Sequence, residues 1–569
     1  MCRSVQTASL KTMLLIFVVS AIVLSACSPE ESYNESLHVV PLSSDHLLAY
    51  FSFRTVSSSY KNHFNLMPNA FGRILQEYHV SKLQLSLTQG LWRQRLWGYY
   101  SPIVPIGASI YALFENDTAR SIDHKWRGLV HSLSGLFCAS FSQIDSAHTV
   151  SPMYKLHKDG HISSSFEWEN SRYGVLPSET VCTENLTPWK KLLPCKTDRG
   201  LVALLRSSKI YGSYYSSLAL SAKRTTHANA HGREDFELHQ TVTVVLDNDK
   251  NDSNMLTLFG SGMKEACAIA TSSVVLLKMP RKGDVRIQKI GARTVYRGHH
   301  FVALDSAEWA KRTDHTIPAK SVPVDKLPVT ILSRVYGIGF HNLTFVHELQ
   351  NEANVEVAVL FRHIIPWFIR IYFHTLRFSC DGMSKNRMGK VHYQAARDRS
   401  LPHYLEVPLL LPSGGNCSLM INFDKSLLRW TEYPSDANYG FRLPAASLEF
   451  YLPLETESFH SVLVNFNMTF GTSNSFEPLQ IFGEQIVVYM PTPDFSMPYN
   501  VLCLVCTVFA LSFGPVHNLT TRRFTFSKTK RRSLLTSGKD LVQSWISCLM
   551  PSKRNESQIG TATEDNRCG

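Results

Sequence analysis

The sequence has no HExxH pair, no GxSxG elbow, no Walker phosphate loop and no EF-hand in its 569 residues. The signatures of zinc hydrolases, α/β-hydrolases, P-loop NTPases and calcium sensors are therefore missing. No internal repeat is visible, which argues against a solenoid or propeller. Cysteine is sparse. Of twelve in all, Cys2 lies in the N-terminal leader, Cys503 and Cys506 lie in an apolar run, and Cys548 and Cys568 lie beyond it. That leaves Cys138, Cys182, Cys195, Cys267, Cys380 and Cys417, with Cys27 if leader cleavage precedes it. These form no CxxC and are too thinly spread for a disulfide scaffold, and their pairing is not readable from sequence. His157 and His161 straddle Lys-Asp-Gly, which breaks a helix, so they read as loop histidines rather than metal ligands. Cys138 has no nominated base or orienting group and reads as a buried thiol or half of a disulfide. No catalytic residue, metal site or cofactor is expected.

Long uncharged stretches are rare too, and the exceptions are informative. Val501–Val516 is almost wholly apolar and uncharged. With its borders it spans about 18 residues, or roughly 27 Å of helix, near the lower limit for crossing a bilayer. Arg522, Arg523, Lys528, Lys530, Arg531 and Arg532 follow it, so the positive-inside rule places the C-terminus in the cytosol. The formal net charge of +12 owes much to this tail. A basic cluster beside a span suits anionic lipid headgroups, and nucleic acid is not expected as a partner. Arg3 and Lys11 precede the apolar Met13–Leu24 and small residues Ser25 and Ala26, the pattern of a secretory signal peptide over residues 1–26. Between the two apolar segments, N-x-S/T triplets begin at Asn34, Asn116, Asn185, Asn251, Asn342, Asn416 and Asn467, each a glycosylation candidate.

Periodicity divides the rest. His38–Val56 alternates like a strand. Pro68 followed by Phe71, Ile74, Leu75 and Tyr78 predicts a short helix. Leu83, Leu85 and Leu87 predict a half-buried strand. Trp126, Leu129, Val130, Leu133, Leu136, Phe137 and Phe141 recur at helical spacing and predict a second helix over the sheet. These pieces suggest an α+β domain over residues 27–225. From Glu234 the pattern is mainly β: Leu238–Leu246, Val355–Phe361, Trp367–Phe378, Ser461–Phe470 and Ile481–Met490. Leu405–Leu411 and Leu419–Phe423 flank a Pro-Ser-Gly-Gly-Asn loop and read as a hairpin. Trp367, Ile369, Ile371 and Phe373 should share one face. The expected architecture is mainly β. It comprises an α+β domain, an antiparallel β-sandwich over residues 226–498, a single transmembrane helix over 499–517, and a basic tail over 518–569.

Two stretches invite functional readings. Trp92, Arg93, Arg95, Trp97, Tyr99 and Tyr100 read as a packed strand and turn, or as a sugar-stacking platform of a glycan-binding type I receptor. Cys182 and Cys195 bracket a polar segment, as in a local loop disulfide.

Longer stretches are more specific. TQGLWRQRLWG from Thr88, SGLFCASFSQIDS from Ser134, VCTENLTPWKKLLPC from Val181, PWFIRIYFHTL from Pro366, RWTEYPSDANYGF from Arg429 and PTPDFSMPYN from Pro491 together resemble the PIG-T family of GPI transamidase subunits. The resemblance fades at Leu156–Tyr173, around Lys278–Val324, and after Phe524. It implies a non-catalytic scaffold in the endoplasmic reticulum membrane with a large luminal part. Its partners would be a caspase-like catalytic subunit, other membrane subunits and the GPI lipid. It further implies that Cys182 forms an intersubunit disulfide to the catalytic subunit, in competition with a Cys182–Cys195 loop. Asn438, Asp494, Ser496 and Asn500 are the implied GPI-lipid contacts. Asp494, Ser496 and Asn500 stand equally where a membrane helix needs capping.

Overall fold

The computed structural model describes residues 31–523 except 43–44, 60–62, 101, 116, 166, 180, 196–197, 227–233, 248–257, 261, 264, 279–291, 297–298, 307–325, 382–386, 435, 452–477, 493 and 495, together with residues 539 and 541–543. The chain divides into two compact units, residues 1–492 and 493–569. The predicted signal peptide, the strand at Ser461–Phe470, and sequons Asn116, Asn251 and Asn467 lie outside the described residues.

The first unit opens with β1 (Ser32–Pro41) and β2 (His46–Ser59). They pair antiparallel, so the single alternating run seen in the sequence is folded back between Pro41 and His46. Helix α1 (Asn69–Glu77) follows Pro68 as predicted. Gly72 is required there, because a Cβ would meet the Phe64 ring at 2.5 Å. Then come β3 (Val80–Gln89), the one-turn α2 (Gln94–Trp97) and β4 (Gly107–Phe114). Helix α3 (Ala119–Phe137) starts where the Thr118 side chain accepts the Ser121 N–H. Its stripe of Ile122, Trp126, Leu129, Val130, Leu133 and Phe137 is buried against the sheet. The helix stops at Cys138, which has left-handed φ 52°.

Short strands β5 (Thr149–Val150), β6 (Tyr154–Leu156), β7 (Ile162–Ser164) and β8 (Ser171–Leu176) follow. Next are α4 (Thr183–Lys191), α5 (Ser207–Tyr211), β9 (Tyr215–Thr226) and β10 (Glu234–Asp247). Finally β11 (Ser272–Lys278), β12 (Ala292–Tyr296) and β13 (His299–Asp305) complete an eleven-stranded sheet, ordered β12-β13-β11-β1-β2-β10-β9-β3-β4-β8-β5. The β9–β10 hairpin crosses residue 225. The sheet therefore continues past the boundary that the change of pattern suggested, because composition shifts where helices end and not where a sheet ends.

One face of this sheet carries Phe51, Phe53, Leu83, Leu85, Ile110 and Val242 against the helices. Part of the other face, including Val40, Leu48, Tyr50 and Val245, shares a core with the sandwich that follows. That sandwich has a four-stranded sheet of β14 (Val329–Tyr336), β15 (Leu343–Asn351), β20 (Asn416–Lys425) and β17 (Ile369–Cys380). Its five-stranded partner is ordered β18 (His392–Gln394), β19 (His403–Leu411), β16 (Val357–Ile365), β21 (Ser447–Phe450) and β22 (Leu479–Phe482). Ile331, Leu349 and Leu419 from one sheet meet Val359, Phe361, Val407 and Ile481 from the other.

Two local readings change. β19 and β20 do not form a hairpin: β19 pairs with β16 and β18, and β20 with β15 and β17. The Pro412–Asn416 loop instead carries the chain from one layer of the sandwich to the other. In β17 the register shifts between Tyr372 and Arg377. Ile369 stays buried while Phe373 turns outward, 38% exposed, and stacks on Tyr393 at 4.6 Å.

The second unit contains α6 (Ser496–Thr521), 26 residues long, apolar and with none of its residues buried. It begins three residues before and ends four after the predicted span. By length and composition it can cross a membrane.

Candidate functional site

The segment from Val181 to Cys195 forms α4 and its flanks. Cys182 is the N-cap, with extended φ −132° and ψ 173°. Asn185, three residues on, closes a capping box: its Oδ1 accepts the Cys182 N–H at 2.8 Å. The same side chain donates through Nδ2 to the carbonyls of Phe137 at 3.0 Å and Cys138 at 2.9 Å. One carboxamide thus fastens the start of α4 to the end of α3. Trp189 anchors the other end of α4. It is fully buried, lies against Phe53, and its carbonyl accepts from Gln240 at 3.1 Å. Lys190 donates to the Leu205 carbonyl, and burial, then Arg206, lowers its pKa to about 8.

This packing corrects one sequon. Asn185 is 1% exposed and both ends of its amide are bonded, so the folded chain has no room for a glycan there. An N-x-T triplet does not reveal that its asparagine is a clamp. Asn342 and Asn416 are exposed, and Asn34 is half-buried in β1, where its Oδ1 accepts from Ser272.

The disulfides remove one of the two readings of Cys182. Cys195 is bonded to Cys267 and Cys380 to Cys417, so the Cys182–Cys195 loop does not form. Among the described residues Cys138, Cys182, Cys503 and Cys506 are free, and all are exposed. Cys138 is therefore neither buried nor disulfide-bonded. The apolar stripe that suggested burial ends one residue earlier, and the left-handed turn points the thiol outward.

The implied lipid contacts are exposed in both units. Asn438 sits in a short 3-10 turn, where its N–H donates to Asp436 at 2.9 Å. Asp494 accepts the Ser496 N–H at 2.9 Å just ahead of α6. The Ser496 hydroxyl, then its N–H, holds the Asp494 carboxyl below the usual range. Asp494 is thus capping-competent and still open to solvent. Ser496 and Asn500 lie exposed on the first turns of α6.

The aromatic run is packed. Trp92, Trp97, Tyr99 and Tyr100 are all at most 8% exposed, and Trp92 Nε1 donates to the Gly98 carbonyl at 2.9 Å. Gly90 has φ 87°, and a Cβ there would meet the Tyr214 carbonyl at 2.4 Å. A sugar-stacking platform needs open ring faces, which this turn lacks. His157 and His161 flank the β6–β7 turn with rings 6.1 Å apart, and no group of metal-binding residues occurs among the described residues.

Sequence reasoning missed the buried charges. Arg362 Nε donates to Glu406 at 3.0 Å, Nη1 bonds Glu449, and Nη2 donates to the Tyr154 carbonyl at 2.7 Å. Glu406 is completely buried and also accepts from Tyr404 and from the N–H groups of Met153 and Tyr154. This network ties β6 to the sandwich. Its members lie far apart in sequence, on strands whose alternation marks the face but not the neighbour.

A β-rich body with bonded structural cysteines, a free surface thiol at a helix N-cap and one long apolar helix fits a membrane protein with a large soluble region. The family described as "Gpi16 subunit, GPI transamidase component" matches residues 14–255 and 248–546. The mouse "GPI-anchor transamidase component PIGT" is 33% identical, over 94% of this chain and 97% of its own. Its human counterpart is 33% identical over 90% and 94%. The baker's yeast "GPI transamidase component GPI16" is 26% identical over 89% and 91%. The chain belongs to the Gpi16/PIG-T family of GPI transamidase components. It is accordingly a subunit of a complex with other subunits.

Proposed function

We propose that this chain is the non-catalytic scaffold of the transamidase in the endoplasmic reticulum membrane. It holds a caspase-like catalytic subunit through a disulfide at Cys182 and helps seat the GPI lipid during anchor attachment. The observation that carries this reading is the state of Cys182, a free and exposed thiol at a rigid helix start, while the neighbouring Cys195 is committed to Cys267. A thiol so held presents a fixed attachment point, and a covalent bond sets register without relying on interface affinity alone. In this reading the signal peptide is removed, the body is luminal and glycosylated, and the basic tail is cytosolic.

On a non-reducing gel of protein from mild-detergent microsomes, the wild type should run as a heavier band containing a caspase-like partner. Reductant and Cys182→Ser should each abolish it. A wild type that runs only as a monomer and brings down no protease subunit refutes the tether.

The lipid role rests on hydrogen-bonding chemistry. Asp494 can accept from ammonium or hydroxyl groups, and Ser496, Asn500 and Asn438 can donate to phosphate or sugar oxygens. Asp494→Ala and Asn500→Ala should each reduce crosslinking of a photoactivatable GPI analogue to this chain by about tenfold, the effect of losing roughly 1.4 kcal/mol. Unchanged crosslinking with the complex intact leaves these residues with capping alone.

A further inference from the structure

Cys138 and Cys182 are the described cysteines before the apolar helix that no disulfide uses. They are 44 positions apart in sequence, yet they occupy adjoining helix ends. Asn185 accepts from the Cys182 N–H at 2.8 Å and donates to the Cys138 carbonyl at 2.9 Å, so a single carboxamide spans the two cysteine backbones. A disulfide needs Cα atoms within about 7 Å, and the shared carboxamide draws the two cysteine backbones towards each other. Both residues sit outside regular helix, Cys182 as an extended N-cap and Cys138 in a left-handed turn. Both side chains are exposed. Beside them, the Tyr211 phenol is buried without a hydrogen-bond partner and lies near enough to Cys182 to be pushed up by it, after burial itself. A structural disulfide would consume both thiols; a lone tether would need only one.

We propose that Cys138 and Cys182 form a thiol–disulfide exchange centre in which Cys138 is the resolving thiol of the intersubunit tether. This rests on the tether proposed above. The Cys138 thiol gives its proton to water, and its sulfur attacks the Cys182 sulfur of the mixed disulfide. The Cys138–Cys182 bond forms as the bond from Cys182 to the partner's sulfur breaks. The electron pair leaves with that sulfur, which takes up a proton. One disulfide is exchanged for another, so no oxidant or reductant is consumed. The reverse step, attack by the partner's thiol on a Cys138–Cys182 bond, makes the tether. Asn185 is the positioning residue that holds the two cysteine backbones together in either state.

The test uses the intact complex in mild detergent. It is incubated at about pH 8 without reductant, where thiolate is available, then acid-quenched and alkylated with N-ethylmaleimide. Non-reducing gels and peptide mass spectrometry of the wild type should show a partner-free fraction in which the Cys138 and Cys182 peptides are crosslinked. In Cys138→Ser and Cys138→Ala that fraction should fall at least about tenfold while the heavy band persists, because an internal thiol acts at a high effective concentration. Recovery of the Cys195–Cys267 crosslink in both variants reports an intact fold. Equal release from the wild type and both variants, or no Cys138–Cys182 peptide in the wild type, overturns the exchange centre. A wild type with no reductant-sensitive heavy band overturns the tether and the exchange together, and the missing band distinguishes this case.

Discussion

Between pH 7 and pH 5 this protein should lose roughly 5–6 kcal/mol of folding stability through three imidazoles buried in the neutral form, with a fourth adding to the loss. Burial lowers His363 and His403 to about 4, and burial followed by Arg54 does the same to His239. His347 is pushed well below its usual value by burial, then by His363, whose ring lies 5.0 Å away. Each folded pKa lies below the unfolded one, so between the two the unfolded chain binds more protons. Stability is therefore full above the unfolded value near 6.5, and it drains away as pH falls towards the folded value near 4. At pH 5 each of the three histidines lowered to about 4 contributes roughly 1.8 kcal/mol to the loss.

The hydrogen bonds supply the mechanism. His403 Nδ1 accepts the Ala396 N–H at 3.1 Å, and a proton on that nitrogen removes the acceptor. His347 Nδ1 meets Ser333 Oγ at 2.9 Å in the sandwich core. Thermal unfolding of the purified protein at pH 7, 6 and 5 should show a progressive fall in Tm. His363→Phe should flatten the slope. A Tm that stays constant across this range would show that the imidazoles reach water in the folded state.

Arg362→Leu should cost about 3–5 kcal/mol, since it strands Glu406 and Glu449 in the interior without their counter-charge. Burial opposes the Arg362 charge, but Glu449, Tyr404 and Glu406 more than offset this and hold the guanidinium protonated. The substitution also removes the bond to the Tyr154 carbonyl, one of the links between β6 and the sandwich. The Tm should drop by at least about 5 °C. Adding Glu449→Gln should recover part of the loss, because it neutralises one stranded carboxylate. Arg362→Leu with an unchanged Tm would mean that water replaces the guanidinium at no cost.

Much of the fold was legible because its signals are local. Pro68 with Phe71, Ile74 and Leu75 marks α1, and the stripe from Trp126 to Phe137 marks α3, since helix periodicity and end signals lie within a few turns. The alternation of Leu83, Leu85 and Leu87 marks β3. The matched stretches point to the family because each is long. The packing of Trp92 and Trp97 was one of two open readings, and burial decided it.

What sequence by itself determined is whatever a short window encodes: helices α1 and α3, the buried face of β3, the apolar α6 with its basic flank, and the family. Tertiary structure decided the pairings. It placed β19 and β20 in different layers, joined Cys195 to Cys267 rather than to Cys182, gathered Arg362, Glu406 and Glu449, and turned the Asn185 sequon into a buried clamp between two free thiols. The physical reason is that alternation with period two tells which face of a strand is buried but not which strand lies beside it. Neighbours are selected by the global burial of apolar surface and by satisfaction of buried polar groups, and both are properties of the assembled chain.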